Sequence, residues 1–406
     1  MSTIILNRWP IQIVNLKEWI NENENDTFII LPEQFKDAFL EHGYKNLITT
    51  KSYNDDQEIF TILCSLNKDK AINRIVALDE TDIKRAGFYR EYFNIPGQKA
   101  FSASVYRDKL LMKSIVQENG IPTAPFKSVK TKDDILDFYK RYNTSLILKP
   151  TDGMGSMGVV TIESEEDINK ISIKEESIIE VFVDYKNMYT VDGIVINNEV
   201  VFSTVTRYRD GTLNYFYGND AHVVELVDPC ENIFSRIVEL NKKIVEVLPS
   251  CDLPFSFHTE LFHTTEDKLL FCETASRTGG GRMVEMFKQS HGLDIDEAIV
   301  KLQMDILTPE DMHFSEIPDK LTAVYLLPKQ EGILDEIPVS IPFDWVAEYL
   351  PRAKKGEVIS EIKHSADTLA SFVLTGENYD CLWNNINELT KYLKENVKFI
   401  KQYELI

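Results

Sequence analysis

The chain is short of positive charge. Its 44 lysines and arginines stand against 65 aspartates and glutamates, a net charge of −21. So acidic a surface repels phosphate backbones and anionic lipid, which excludes a general nucleic-acid or membrane-surface role. An anionic ligand must then be held by a local cluster of cations and backbone N–H groups. Cysteine is scarce too. Cys64, Cys230, Cys251, Cys272 and Cys381 are odd in number and none form a CxxC pair, so a disulfide framework or a zinc knuckle is not expected. No apolar run approaches the ~18 residues of a membrane span. The first residues carry Arg8, Trp9 and Pro10 where a leader would be apolar, so a cytoplasmic protein is expected. Repeats, low-complexity runs and long Gly/Ser linkers are absent, as is the GxxxxGK[ST] motif, and no GxGxxG occurs in residues 1–100.

Residues 1–100 alternate short apolar runs, near 4–6, 28–31, 47–49 and 75–78, with amphipathic stretches such as 32–43 and 80–93. That alternation predicts an α/β domain with a parallel sheet. Asp79 and Glu80 fall at a strand's C-terminal end, where open sheets bind ligands. They read equally well as favourable acids at a helix start. A helix is predicted over 106–119, stopped by Gly120 and Pro122. Lys109 and Lys113 share one side of it, and plain hydration of both is the simplest expectation.

The stretch 146–158, LILKPTDGMGSMG, is a buried strand with Lys149 near its end, then a loop with Gly153, Gly155 and Gly158, then another strand. Glycines let N–H groups turn toward phosphate oxygens, and Lys149 adds a point charge. Taken alone, the stretch is as readily a glycine-tipped hairpin as a phosphate loop. Glu180 lies inside the apolar strand 177–183, SIIEVFV, and a carboxylate there needs a partner. Strands 255–262 and 269–273 allow Glu260 and Glu273 to face each other. A C-terminal part, about 315–406, shows strands near 321–327 and 371–375 and a helix over 383–396.

In order, the motifs are YRDKLLMK, GIPTAPF, LILKPTDGMGSMG, SIIEVFV, VDG, FHTEL and CETASRTGGGR. Together they resemble the ATP-grasp superfamily of carboxylate ligases across nearly the whole chain. The spacing is most similar to the branch holding biotin carboxylase and the ATP-dependent amino-acid ligases, and ETASRTGGGRM resembles the L-amino-acid (dipeptide) ligases. The resemblance implies an ATP-grasp fold of mixed α/β and α+β class. Its parts would be a Rossmann-like N-terminal domain (1–105), a small lid with its leading helix (106–188), a larger antiparallel-sheet domain with the metal site (189–314) and a C-terminal α+β part (315–406).

It also implies roles. Lys109 and Lys149 would bind phosphates, with Gly153, Gly155, Ser156, Met157 and Gly158 as the loop that closes over them. Glu180, Val181 and Val183 would read adenine. Met188 stands where the family often has a ribose-binding glutamate, and Asp184 is the substitute expected. Glu260 and Glu273 would hold Mg²⁺, or Mn²⁺ in its place. The asparagine that usually follows is here Ala275. Arg277 would face an acyl phosphate or oxyanion, Arg282 a substrate carboxylate, and His258 would be a base, a substrate contact or a core histidine. Arg207 and Arg209, in TRYRDG, read as a solvated turn more readily than as guards of the site. The implied activity is ATP-dependent activation of a carboxylate, that of an amino acid, as an acyl phosphate, with transfer to an amine. Loading of a carrier-protein thiol and non-catalytic ATP binding are the alternatives. The partners implied are small molecules, a carrier protein in the first alternative, and a second copy if the protein is a homodimer.

Overall fold

The structure is a computed structural model that describes residues 2–20, 25–173, 175–209, 221–360 and 367–400. At the N-terminus the four apolar runs form a parallel sheet in the order Leu47–Thr50, Thr27–Pro32, Ser2–Leu6, Ile72–Ala77. Ile4, Ile5, Leu6, Ile30 and Val76 are buried, as a sheet covered on both faces requires. The helix Glu80–Tyr92 follows the last strand, and Asp79 caps it by accepting the Thr81 N–H at 2.9 Å.

The lid is a four-stranded antiparallel sheet, ordered Phe126–Val129, Ser177–Val181, Leu146–Pro150, Val160–Ile162. Its two helices, Lys132–Tyr142 and Glu165–Lys170, start in capping boxes, Thr131 with Asp134 and Ser164 with Asp167. The eight-stranded sheet behind it runs Leu269–Ala275, Phe255–Thr264, Tyr185–Ile196, Glu199–Tyr208, His222–Leu226, Leu321–Pro328, Thr368–Gly376, Val346–Pro351. Its central hairpin turns through Asn197 and Asn198, both at positive φ (52° and 67°), as a tight two-residue turn demands.

Three boundaries differ from expectation. The leading helix is Lys109–Glu118, because Asp108 accepts from the N–H of Leu110 and Leu111 and so fixes its start. That helix buries Met112 and Val116 against the large sheet rather than the lid, beside Phe257, Leu261 and Phe271. The part from 315 onward is only partly separate: three of its strands continue the large sheet from His222–Leu226, and Val358–Ile359, Gly332–Glu336 and Lys398–Ile400 form a small sheet of their own. The opposite face of that sheet packs on the N-terminal domain through the helices Met283–His291 and Ile295–Gln303.

Candidate active site

Lid, leading helix and large sheet meet at one cleft. Its wall includes Lys109, Lys149, Gly153, Gly155, Ser156, Met157, Glu180, Val181, Val183, Glu260 and Glu273. Every nucleotide and metal residue expected from sequence is there except Gly158 and Asp184. Gly158 sits at the foot of the loop, at φ +73°, where a Cβ would come within 3.0 Å of the Pro150 ring. Asp184 faces solvent and accepts from Thr265 at 3.4 Å. The chain leaves the cleft wall at Asp184, just after Val183. The ribose role expected of Asp184 is therefore not supported by its position.

Glu180 is the hub of the lid side. Only 4% of it is exposed. One carboxylate oxygen lies 3.0 Å from Lys149 Nζ and the other 3.1 Å from Lys113 Nζ. Burial pushes its carboxyl upward, but Lys113 and then Lys149 more than offset this and hold it below the usual range. Lys113, read from sequence as hydrated, is completely buried. Its spacing from Lys109 was visible, but its partner lies 67 residues away, beyond any local pattern. The Oε1 facing Lys149 makes no well-aligned hydrogen bond, so it retains capacity to accept one. The Val181 N–H is already donated to the Pro125 carbonyl at 2.9 Å, so it is not a donor for a bound base. Val183 lies past the last strand residue, in an extended link.

On the sheet side Glu260 pairs directly with Glu273. The register shifts just after them, so that Leu261 faces Phe271 and Cys272 is the extra residue. This bulge turns Cys272 toward the same side as Glu273, and ligand atoms of Glu260, Cys272 and Glu273 lie within 4.8 Å of one another. Burial raises the Glu273 carboxyl, yet Lys109, Lys149, Lys113 and Arg277 together hold it at about 2. Burial pushes the Cys272 thiol well up, with Lys149 opposing. Two hard carboxylate oxygens beside a neutral thiol suit Mg²⁺ or Mn²⁺ better than a thiophilic ion. Lys109 and Lys149 stand 3.6 and 3.7 Å from Glu273, and Lys109 Nζ also donates to the Gly153 carbonyl at 2.6 Å. The apolar floor was not anticipated. Tyr185 stacks on Phe262, centroids 5.1 Å apart, beside Met188 and Cys272. Met188 thus supplies apolar surface where a ribose-binding acid was expected.

The three expected catalytic residues do not line the nucleotide cleft. His258 is two residues before Glu260, and its Nε2 is 3.7 Å from the Glu260 carboxylate. Its Nδ1 is 3.0 Å from both oxygens of Asp192, which also accepts the Gly279 N–H at 2.6 Å. Burial disfavours the imidazolium, but Asp192 and Glu260 outweigh it and raise His258 to about 9. A protonated imidazole has no lone pair to act as a base, so the geometry favours a donor or positioning part. Arg277 does not pair with Glu273. Its guanidinium grips Glu80 of the N-terminal domain, with Nε at 2.9 Å. Arg282, at φ +76°, pairs with Glu285 at 3.2 Å and Glu348 at 3.4 Å. Arg207 and Arg209 are not in a solvated turn. In register with Tyr189 and Leu261, Arg207 is on the face opposite Glu260 and bonds Glu225 at 2.7 Å, while Arg209 covers Trp383. Asp210 and Gly211 of that motif lie outside the described residues.

The lid and the large antiparallel sheet with the cleft between them make an ATP-grasp fold, and residues 106–302 match the RimK-like ATP-grasp domain. The chain is homologous to L-amino-acid ligases. It is 26% identical over 346 residues to the L-arginine-specific L-amino acid ligase of Bacillus subtilis, covering 80% of this chain and 81% of the relative. The crystal structure of an L-amino acid ligase from Bacillus licheniformis superposes with a TM-score of 0.76 at 16% identity, over 99% of each chain. The carboxyaminoimidazole ribonucleotide synthase of Aspergillus clavatus, complexed with ATP, gives 0.71 at 15% identity over 97% of this chain and 98% of that one. Among the described residues no helix is long and apolar enough to cross a membrane.

Proposed function

We propose that the protein is an ATP-dependent carboxylate–amine ligase that activates the carboxylate of an amino acid and joins it to an amine. The observation that carries this reading is the single cleft wall on which Lys109, Lys149, the glycine loop, Glu180 and the Glu260–Glu273 pair converge. In this reading Lys109 and Lys149 neutralise phosphates, while Ser156 and the backbone of 153–158 cover them. Glu180 accepts from the exocyclic amine of the base, with Val183 beside it. Glu260 and Glu273 would hold Mg²⁺ or Mn²⁺, which would supply positive charge to offset the negative charge that builds on the phosphates.

The substrate carboxylate attacks the γ-phosphorus, the bond to ADP breaks, and an acyl phosphate results. The amine nitrogen then attacks the acyl carbon, the C–O bond to phosphate breaks, and the surplus proton leaves with phosphate. Arg277 presents its fork to the charge on the reacting carbonyl, and Arg282 receives the carboxylate of a substrate. No side chain forms a covalent bond, so the rate comes from positioning, charge and exclusion of water by the loop. Calorimetry with Mg²⁺ and the non-hydrolysable analogue AMP-PNP tests the nucleotide half. Lys149→Met should weaken binding about 10- to 100-fold, the worth of a charge-assisted hydrogen bond, while melting as a folded protein. Unchanged affinity in that folded variant removes Lys149 from the phosphates.

A further inference from the structure

We propose that Arg107 is a positioning residue that couples Arg277, on the reacting-carboxylate side, to the base of the glycine loop. The inference rests on the ligase reading for what Arg277 does, but its geometry is independent of it. Five side chains alternate in sign along one line: Arg277, Glu80, Arg107, Asp152, Lys84. The two oxygens of Glu80 are divided between the arginines. Oε2 accepts from Arg277 and Oε1 from Arg107. The other end of the Arg107 fork reaches Asp152 Oδ1 at 2.7 Å, and Lys84 Nζ takes Asp152 Oδ2, also at 2.7 Å.

The line crosses all the parts that meet at the cleft. Arg277 follows the strand Leu269–Ala275, and Glu80 and Lys84 are one turn apart on the helix Glu80–Tyr92. Arg107 sits in the turn between the helices Ala100–Val105 and Lys109–Glu118. Asp152 immediately precedes Gly153 of the loop. The loop base is also fastened by Lys109, whose N–H bonds the Thr151 carbonyl at 2.9 Å and whose Nζ bonds Gly153, and by the Thr151 N–H, which donates to the Glu176 carbonyl at 3.0 Å. Arg107 is 7% exposed and the Glu80 side chain 13%, so water screens their attraction poorly. A planar fork carries donors at both ends in fixed directions, so one guanidinium holds two carboxylates in a defined geometry.

A substrate carboxylate taking Arg277 competes with Glu80 for it. The charge of Glu80 then falls more wholly on Arg107, and Arg107 shares with Lys84 the hold on Asp152. Occupancy on the carboxylate side is thereby felt at the loop that covers phosphate, which is a coupling between two ligands.

A double-mutant cycle with Mg²⁺ and AMP-PNP as the probe tests this. Glu80→Gln should weaken AMP-PNP binding about 5-fold or more in the wild-type background. In the Asp152→Asn background the same change should cost less than about 2-fold, within the additivity error of such cycles. Hydrogen exchange of 151–158 in the ligand-free protein should follow the same pattern, faster on Glu80→Gln alone and unaltered by it once Asp152 is Asn. Arg107→Gln, if a thermal melt shows it folded, should behave as Asp152→Asn; if it does not fold, the Glu80/Asp152 cycle decides by itself. A merely structural Glu80 would cost the same in both backgrounds, and that additivity overturns the coupling. A wild-type protein that fails to bind AMP-PNP counts against the proposed function, while the exchange arm still decides for or against Arg107.

Discussion

Replacing Lys113 by methionine removes one charge from the most buried ion cluster of the cleft while keeping a side chain of similar length. Lys113 has no exposure and its Nζ is 3.1 Å from Glu180, with the Phe271 ring 6.0 Å away. Breaking a buried pair by removing one partner costs ~3–5 kcal/mol, because a charge is stranded. Here Lys149 remains 3.0 Å from the other oxygen, so the loss belongs at the lower end, about 3 kcal/mol. The pH dependence has a defined sign. Glu180 is held below its ordinary range by Lys113 and Lys149 against the upward push of burial. Its stabilisation is therefore present above the unfolded carboxylate pKa of about 4.3 and is lost as pH falls through the lower folded value. Without Lys113 the folded value rises, and the acid loss begins at higher pH. Equilibrium unfolding in urea at pH 7 and pH 5 measures both. Lys113→Met with Glu180→Gln should not recover the stability, because buried Lys149 then loses its nearer carboxylate and keeps only Glu273, 3.7 Å away. A single variant that loses under about 1 kcal/mol, at the level of an exposed ion pair, refutes the reasoning.

Two other expectations follow from buried groups near the site. Gly279→Ala should cost ~1–3 kcal/mol, because the new Cβ would meet Met283 Sδ at 2.3 Å, His258 Nδ1 at 2.7 Å and Asp192 Oδ1 at 2.9 Å; a melt within error of wild type contradicts that packing. Asp296 is buried and its carboxyl is raised to about 7, with the Thr278 hydroxyl opposing. An acid with a raised folded pKa stabilises most below its unfolded value of about 3.9 and loses that contribution as pH rises toward 7. Asp296→Asn, which can still accept from Thr278 at 2.7 Å, should flatten this slope and melt higher than wild type at pH 8; an equal melt at pH 5 and pH 8 in the wild type counts against it.

How much of this was legible depended on the range of the interaction. The strand–loop–strand at 146–158, the apolar strand carrying Glu180 and the Glu260–Glu273 pairing are local patterns, and the structure places them together in one cleft. Lys113 and Glu80 were not legible, because each takes its meaning from a partner far along the chain, Glu180 and Arg277. Nor was the joining of 315 onward to the large sheet, since nothing local to Leu321–Pro328 names His222–Leu226 as its neighbour. The apolar floor of Tyr185, Met188, Phe262 and Cys272 had no local signature, and the bulge that turns Cys272 inward depends on a register visible only in the folded sheet. Asp184 lies just off the cleft wall with its exposed carboxylate toward Thr265, a placement that no local pattern shows.

The central claim is that this cleft spends ATP to join a carboxylate to an amine. The direct measurement is phosphate release from ATP with Mg²⁺ across all pairs of amino acids, with the products checked by mass spectrometry. The account predicts at least one pair that yields ADP, phosphate and a new amide in equal amounts, and none of the three from Glu273→Gln. AMP-PNP bound tightly by a protein that releases no phosphate with any pair, with or without candidate carrier proteins, would make it an ATP-binding protein without ligase activity and contradict the account.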